Sequence, residues 1–445
     1  MSKPADLVIR GATVITPELA LNGSAIALSG GRISFVGAGA EAPPAEVTVD
    51  AEGCFLLPGF IDLHCHGAGG YDATSGKYDR HARCFVSDEA ALREGMPVIA
   101  RTHLEHGTTT IALATCAAEE EVLLRSLSAI GELASSGSAP SRVLGVNVEG
   151  CYLKDPAFAG AQNPEFFRRP DPADFDRLSA AAGGRISIVN VTADWGYLAT
   201  DMITHLVGCG VVAACGHSGG DWAQMKACID AGTTLAVHFS NGPCSTSYKP
   251  PGKVMEALLD DPRVTLELIA DGYHINPRYL LSFLAAKDFR AALVTDAMLP
   301  VGAEDISRFT DCGMTGEKSP DGGVMRLKGS EDTLFGSLLT MDRAVANVTN
   351  WLAEGLRGTC QNAPVIDPPP TREEALVIAS RLASGYPAEV MGIRSETGAI
   401  EAGLAADLVL LDGGLNTRRV WFGGREVSAP KPPRDGAGSG EAAAS

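Results

Sequence analysis

Leu57-Pro58-Gly59-Phe60-Ile61-Asp62-Leu63-His64-Cys65-His66-Gly67-Ala68-Gly69-Gly70 is the stretch on which the reading of this 445-residue chain turns. An apolar run of Phe60, Ile61 and Leu63 ends in two histidines two positions apart. In a strand, residues i and i+2 point to one face, so both imidazoles converge on one point. Neutral imidazole is the commonest metal ligand in proteins. Taken alone, His-x-His is equally two polar residues at a strand end. Cys65 alternates to the opposite face and reads as small core filler. Asp62 either supports His64 or caps a turn.

Working outward, eight apolar strand-like runs follow one another at 60–63, 109–114, 143–148, 186–191, 211–215, 234–237, 265–269 and 292–294. Helical patterns separate most of them, as at 119–133, 221–231 and 277–286. Near-continuous apolar strands alternating with helices indicate a parallel sheet covered on both faces. Eight such units favour an α/β fold of the (β/α)8 TIM-like barrel type over an open sheet. Residues 6–57 read instead as short strands broken by turns at Asn22-Gly23 and Ser29-Gly30-Gly31. Residues 397–412 and 420–427 have the same character. The two ends are therefore expected to meet in a small discontinuous β-sandwich of residues 1–57 plus 397–428, with the barrel over 58–396. The Pro-, Gly- and Ala-rich tail 429–445 reads as disordered. Two further segments, charged at 74–97 and Pro-rich at 350–371, read as long loops that shape the site or make packing and subunit contacts.

Composition narrows the partners. The apolar share of 45% suits an ordinary globular protein, and a formal charge of −18 argues against binding nucleic acid or an anionic membrane. No apolar run reaches the about 18 residues of a membrane span. The start of the chain has no apolar signal-peptide core. Eleven cysteines without paired spacing point to a reducing cytoplasm.

The polar residues that follow the apolar runs carry the chemistry. Run one ends in His64 and His66, run three in Glu149, run five in His217, run six in His238 and run eight in Asp296; Asp271 and His274 follow run seven. Catalytic residues of such barrels come from the carboxyl ends of different strands. Histidines with a carboxylate hold a divalent transition metal while leaving a position open for water, and an adjacent ionised Asp shuttles its proton. Metal-assisted hydrolysis of an amide follows, with Asp296 as the proton shuttle; the competing reading of Asp296 is a helix or turn cap. For His274, a surface hydrogen bond competes with substrate contact. No glycine-rich phosphate loop and no Ser-His-Asp ordering favours another mechanism.

The string Pro58-Gly59-Phe60-Ile61-Asp62-Leu63-His64-Cys65-His66 resembles the signature of the amidohydrolase superfamily. Val148-Glu149-Gly150, Gly216-His217-Ser218, Ala270-Asp271-Gly272-Tyr273-His274 and Thr295-Asp296-Ala297-Met298 resemble internal motifs of its N-acetylglucosamine-6-phosphate deacetylases, as does Gly336-Ser337-Leu338-Leu339-Thr340-Met341-Asp342. The resemblance implies a metal-bearing barrel beside a small β-sandwich. It implies Glu149, His217 and His238 as core metal ligands, His64 and His66 as a second position bridged by Glu149, and one or two divalent ions. Zinc is the first choice, iron or another transition metal the alternative. It implies Asp296 as acid/base, and Ala161, Gln162, Asn241, Gly242, Lys249, Asp271, His274, Leu334, Phe335 and Gly336 at the sugar site. It also implies a homo-oligomer, a dimer or larger.

The departures concern substrate. Where the family has a phosphate-binding Arg-Glu-Pro-Gly, this chain has Lys249-Pro250-Pro251-Gly252, and lysine lacks the bidentate fork. Where the family has Gly-Ala-His-Asn-Pro, it has Gly160-Ala161-Gln162-Asn163-Pro164. Gln162 can donate a hydrogen bond but cannot become cationic. The family's Asn-Ala pair is Asn241-Gly242 here. The expected reaction is deacetylation of N-acetylglucosamine 6-phosphate, a C–N hydrolysis outside peptides. The alternatives are an unphosphorylated or different N-acyl amine or cyclic amide, and a non-catalytic metal- or sugar-binding relative.

Overall fold

The eight apolar runs become eight parallel strands hydrogen-bonded in sequence order: β1 (Phe60–Cys65), β2 (Thr108–Thr115), β3 (Arg142–Tyr152), β4 (Ile186–Val191), β5 (Val212–Cys215), β6 (Thr233–Ala236), β7 (Thr265–Ile269) and β8 (Ala291–Val294). The computed structural model from which this is drawn describes residues 4–356 and 364–427. Every residue of β1, β2, β7 and β8 is buried. Side chains fill the barrel on one face and meet helices on the other, so these strands need no polar alternation. The helices begin where local chemistry dictates. Asp221 and Gln224 form a capping box before Trp222–Ala231, and Asn276 with Pro277 opens Pro277–Ala286.

The barrel closes between the end of β1 and the residues just past β8. Cys65 and Ala297 form a parallel bridge. The Asp296 N–H donates to the His64 carbonyl at 2.8 Å, and the His66 N–H to the Ala297 carbonyl at 2.9 Å. Asp62 stitches the same seam. Its buried carboxylate accepts from the Thr295 hydroxyl at 2.6 Å and from the N–H groups of Thr295 and His64, each at 3.2 Å. It therefore supports the backbone of His64, and caps no turn.

The two ends of the chain share one sheet. Strand Leu408–Leu411 runs antiparallel to Phe55–Pro58, with Thr13–Ile15 and Ala20–Leu21 on one side and Thr417–Phe422 and Arg425–Val427 on the other. A second sheet joins Ala5–Arg10, Ser24–Ser29, Arg32–Ala38 and Ala45–Asp50. Ile9, Ile26, Leu56, Leu408 and Trp421 form the core between them. Residue 428 and the tail 429–445 lie outside the described residues.

Two small sheets rise at the barrel mouth, and neither is anticipated by the sequence reading. Gly67–Ala68, Tyr71–Asp72, Gly76–Asp79 and Cys84–Val86 form an antiparallel sheet that leads into helix Glu89–Glu105, where 74–97 reads as a loop. Polar side chains build its turns. Asp72 accepts from the N–H groups of Thr74 and Ser75, and Asp79 from those of His81 and Ala82. A three-stranded sheet of Arg308–Asp311, Met314–Lys318 and Met325–Leu327 follows β8. The expected loop 350–371 begins inside helix Met341–Glu354 and ends at Thr371, which caps Arg372–Ser380; residues 357–363 lie outside the described set. Among the described residues, no helix is long and apolar enough to cross a membrane, and ten cysteines are free thiols.

Removing the Asp62 carboxylate leaves three buried donors at the seam without their acceptor. Asp62→Ala is expected to lower the unfolding free energy by about 3 kcal/mol, read from urea melting. A change under about 1 kcal/mol would show that the seam does not depend on it.

Candidate metal centre

Placement at or just past the carboxyl ends of the strands delivers the polar residues to one point. His217, His238, Asp271 and Asp296 each stand two residues past the end of their strand, while His64 and Glu149 lie inside theirs and His66 directly follows β1. The backbone turns sharply to aim three of these side chains inward. His217, His238 and Asp296 all adopt left-handed conformations, with φ of 56°, 24° and 50°. Such strain in residues other than glycine persists where surrounding structure enforces it, and it clusters at functional sites.

Glu149 is the hub. Its Oε1 lies 2.8 Å from His238 Nε2 and 3.2 Å from His217 Nε2, and its Oε2 lies 3.5 Å from His66 Nε2. His64 Nε2 and His66 Nε2 are 3.2 Å apart. Two ligand sets result, His64/His66/Glu149 and Glu149/His217/His238, with Glu149 common to both. Ring orientation supports ligation at Nε2. His217 Nδ1 donates to the Phe158 carbonyl at 2.9 Å, and His64 Nδ1 faces Glu267 Oε2 at 3.2 Å, leaving each Nε2 lone pair for the centre. His238 differs: its Nδ1 accepts from the Gly242 N–H at 2.9 Å, so metal binding at Nε2 requires that contact to be remade.

The electrostatics fit a cation. Burial alone would lower the His64 imidazolium, yet the hydrogen bond to Glu267 and the charges of Glu267, Glu149 and Asp296 raise it to about 10. Burial alone would raise Glu149, but its hydrogen-bond contacts with the His217 and His238 rings and the charges of His64 and His66 hold it well below the ordinary carboxylate range. Asp296 is likewise lowered against its burial, by His66, His64 and His238. The cluster draws positive charge into a buried place, and nitrogen donors with a carboxylate suit a divalent metal.

Asp296 stands beside the hub, with Oδ1 3.3 Å from His66 Nε2 and Oδ2 4.0 Å from His274 Nε2. Asp271 does not line the cavity; it orients His274 through a 2.6 Å contact with Nδ1. The cavity holds about 640 Å³ and is lined by Ala161, Gln162, Asn241, His274, Leu334, Phe335 and Gly336 among others. Gln162 turns its amide to Glu149, its Nε2 donating to Oε2 while its Oε1 accepts from the Ala117 N–H at 2.8 Å. The Gly242 N–H is taken by His238. Lys249 is exposed and stands outside the cavity of its own chain. Cys65 points away from the hub, its Sγ 3.1 Å from His103 Nε2.

Two contributions escape the sequence reading. Glu267, inside β7, receives the His238 N–H at 3.0 Å as well as facing His64 Nδ1, and its Oε1 has no partner among the described residues. The signal available was a lone acid within the apolar run Thr265-Leu266-Glu267-Leu268-Ile269. Gly160 is the second: a Cβ there would lie 2.9 Å from His217 Cε1, just as one on the anticipated Gly242 would lie 2.5 Å from His238 Cε1.

Buried acid, surrounding imidazoles and a second carboxylate at the mouth of a closed barrel define the class: a metal-dependent hydrolase with a (β/α)8 fold. The chain belongs to the Amidohydrolase family, whose sequence profile matches residues 55–427. It is 32% identical to the N-acetylgalactosamine-6-phosphate deacetylase of Escherichia coli O157:H7, over 95% of this chain and 99% of the relative. It is 29% identical to the N-acetylglucosamine-6-phosphate deacetylase of Vibrio furnissii, over 85% and 84%. A mutant N-acetyl-D-glucosamine-6-phosphate deacetylase from Mycobacterium smegmatis, solved with N-acetyl-D-glucosamine-6-phosphate, superposes with a TM-score of 0.78 at 27% identity, covering 95% of this chain and 99% of the other.

Glu267 orients one imidazole and the backbone of another, and such supports typically carry a 10- to 100-fold share of metal affinity. Glu267→Gln is expected to weaken metal binding by about that factor in chelator competition. Unchanged affinity would remove Glu267 from the centre.

Proposed function

We propose that the protein hydrolyses the acetamide of an N-acetylhexosamine 6-phosphate, N-acetylglucosamine 6-phosphate first, to the free amine and acetate. The observation that carries this reading is Asp296, a carboxylate held ionised at the wall of the cavity, beside His66 and facing His274. Relatives named for this reaction align over nearly the whole chain. Glu149, His217 and His238 would hold one divalent ion, with His64 and His66 completing a second position through Glu149; zinc is our first choice and iron the alternative. Such an ion polarises the amide carbonyl and acidifies water.

The chain's own groups do the rest. Asp296 accepts the proton of the attacking water and delivers it to the nitrogen as the C–N bond breaks. His274, locked by Asp271, offers Nε2 to the substrate on the far side of Asp296. Gln162 keeps Glu149 from rotating. Leu334, Phe335 and Gly336 form a wall beside Asp296, and the left-handed Gly336 has no room for a Cβ, which would lie 2.4 Å from Met298 Cγ.

One observation favours a second reading, the galactosamine epimer: the 32% identical relative is named for it. An unphosphorylated N-acyl amine rests on the changes at Lys249 and Gln162. A non-catalytic relative is disfavoured because His217, His238, Glu149 and Asp296 are all present and converge. We further propose a cytoplasmic setting and an assembly of two or more copies; a monomer in sedimentation would contradict the latter.

On metal-loaded protein, acetate release is expected to be faster with N-acetylglucosamine 6-phosphate than with its galactosamine epimer or with unphosphorylated N-acetylglucosamine. A preference for the unphosphorylated sugar would overturn the substrate. Asp296→Asn is expected to keep its metal and lose about 10²- to 10⁴-fold in kcat. Unchanged turnover would end the assignment of Asp296.

A further inference from the structure

Away from the mouth, three donors of different kinds meet on the outer wall of the barrel. Asp176 lies on helix Pro172–Ala181, which follows β3. His205 lies on helix Tyr197–Gly208, which follows β4, and Cys209 caps the end of that helix. His205 Nε2 is 2.7 Å from Asp176 Oδ1 and 3.8 Å from Cys209 Sγ, and all three donor atoms lie within 4.8 Å of one another. Cys209 stands three residues before β5 begins, and His217 two past its end. The cluster therefore sits at the end of the barrel opposite the metal centre. A similar trio, Asp62, Cys65 and His103, is wholly buried, and its carboxylate is already taken up by the barrel seam.

The helix sets half of the exposed cluster. Residues i and i+4 are neighbours on a helical surface, and the Cys209 N–H still donates to the His205 carbonyl at 3.0 Å. Packing sets the other half. Phe175, buried beside Asp176, meets the His205 ring edge-on, with centroids 5.7 Å apart and planes at 80°. That contact holds the imidazole at the seam of the two helices, with Nε2 toward both Asp176 and Cys209.

A proton on Nε2 serves the 2.7 Å contact with Asp176 and gives Cys209, at 3.8 Å, little. A cation in its place engages all three. Imidazole, thiolate and carboxylate are zinc-type donors, and around a tetrahedral ion they stand about 3.3–3.6 Å apart. Reaching that arrangement takes side-chain shifts on the order of 1 Å. The side chains have the freedom to make them: that of His205 is 31% exposed, that of Asp176 60%, and Cys209 is an exposed free thiol. Charge agrees as well. The end of helix Tyr197–Gly208 is the negative pole of its dipole, which favours a cation. Among the described residues, Asp176 pairs with no lysine or arginine.

We propose that Asp176, His205 and Cys209 bind one zinc-class divalent ion, with water completing the tetrahedron, and that this ion clamps the two helices together and takes no part in catalysis. Binding releases the thiol proton to solvent, so it strengthens as pH rises. The proposal stands apart from the sugar-phosphate reading and from the centre at Glu149.

Cobalt is the probe. Sulfur-to-cobalt charge transfer in the near ultraviolet requires a cysteine ligand, and the donors gathered at Glu149 include no sulfur. The full chain is loaded with Co2+ to saturation in thiol-free buffer. Wild type is expected to show the band and to bind one ion more than Cys209→Ser or His205→Gln, both of which lose the band. Asp176→Asn is expected to need more cobalt to reach it. Cys84→Ser, which removes the other fully exposed thiol among the described residues, is expected to keep it. Turnover at the centre is expected to be the same in all of them. Excess zinc is expected to raise the melting temperature of wild type about 2 °C more than that of Cys209→Ser. No band in wild type, or one that survives Cys209→Ser, would overturn the site. A band with no difference in melting would overturn the clamp.

Discussion

The backbone ladder between the end of β1 and the residues past β8 is the constraint on which the rest depends. Hydrogen bonds from the Asp296 N–H to His64 and from the His66 N–H to Ala297 close the barrel, and the same residues carry two imidazoles and the second carboxylate. Closing the barrel and assembling the site are thus one event. Asp62 reinforces it from inside, and Ser337 extends it outward: its N–H donates to the Asp296 carbonyl, its hydroxyl to the Thr295 carbonyl at 2.5 Å, and its own carbonyl accepts from Met298. Leu334, Phe335 and Gly336 reach the cavity wall because they lead directly into that ladder.

Around Glu149 the fold accepts costs that only a functional centre explains. Three left-handed residues other than glycine sit at strand ends, each costing on the order of 1 kcal/mol. Two imidazole nitrogens approach to 3.2 Å, close enough that they share a proton or face one cation. Glu267 lies buried with one oxygen unpaired among the described residues, its charge directed at His64. Each feature alone is unfavourable, and together they make a negative, nitrogen-lined place that draws a positive ion.

Much of this was legible in the chain. The eight runs could be read because a strand buried on both faces must be apolar throughout, and the polar residues just past them stand out by contrast. The helix expected at 277–286 matches Pro277–Ala286, whose start Asn276 caps, and that at 119–133 is observed as Glu120–Ser135, legible from its apolar spacing without a side-chain cap. The small sheets at the mouth were not legible. Their strands are two to five residues long, polar, and shaped by Asx turns such as those of Asp72 and Asp79, which leave no periodic pattern. Glu267 was missed because an acid in a short run carries no sign of what it faces. Gln162 was placed near the substrate by its string, and its amide turns to Glu149, a direction set by the Ala117 N–H in the loop after β2. Lys249 stands outside the cavity of its own chain, in keeping with the expectation that it acts from a neighbouring copy.

The central claim is that Glu149, His217 and His238 hold a metal ion, with His64 and His66 poised for a second. Anomalous diffraction from crystals of the metal-loaded protein, recorded on either side of the metal's absorption edge, tests it most directly. The account predicts a peak between Glu149 Oε1 and the Nε2 atoms of His217 and His238, and any second peak beside His64 and His66. Peaks confined to other parts of the molecule, with full metal loading, would contradict it.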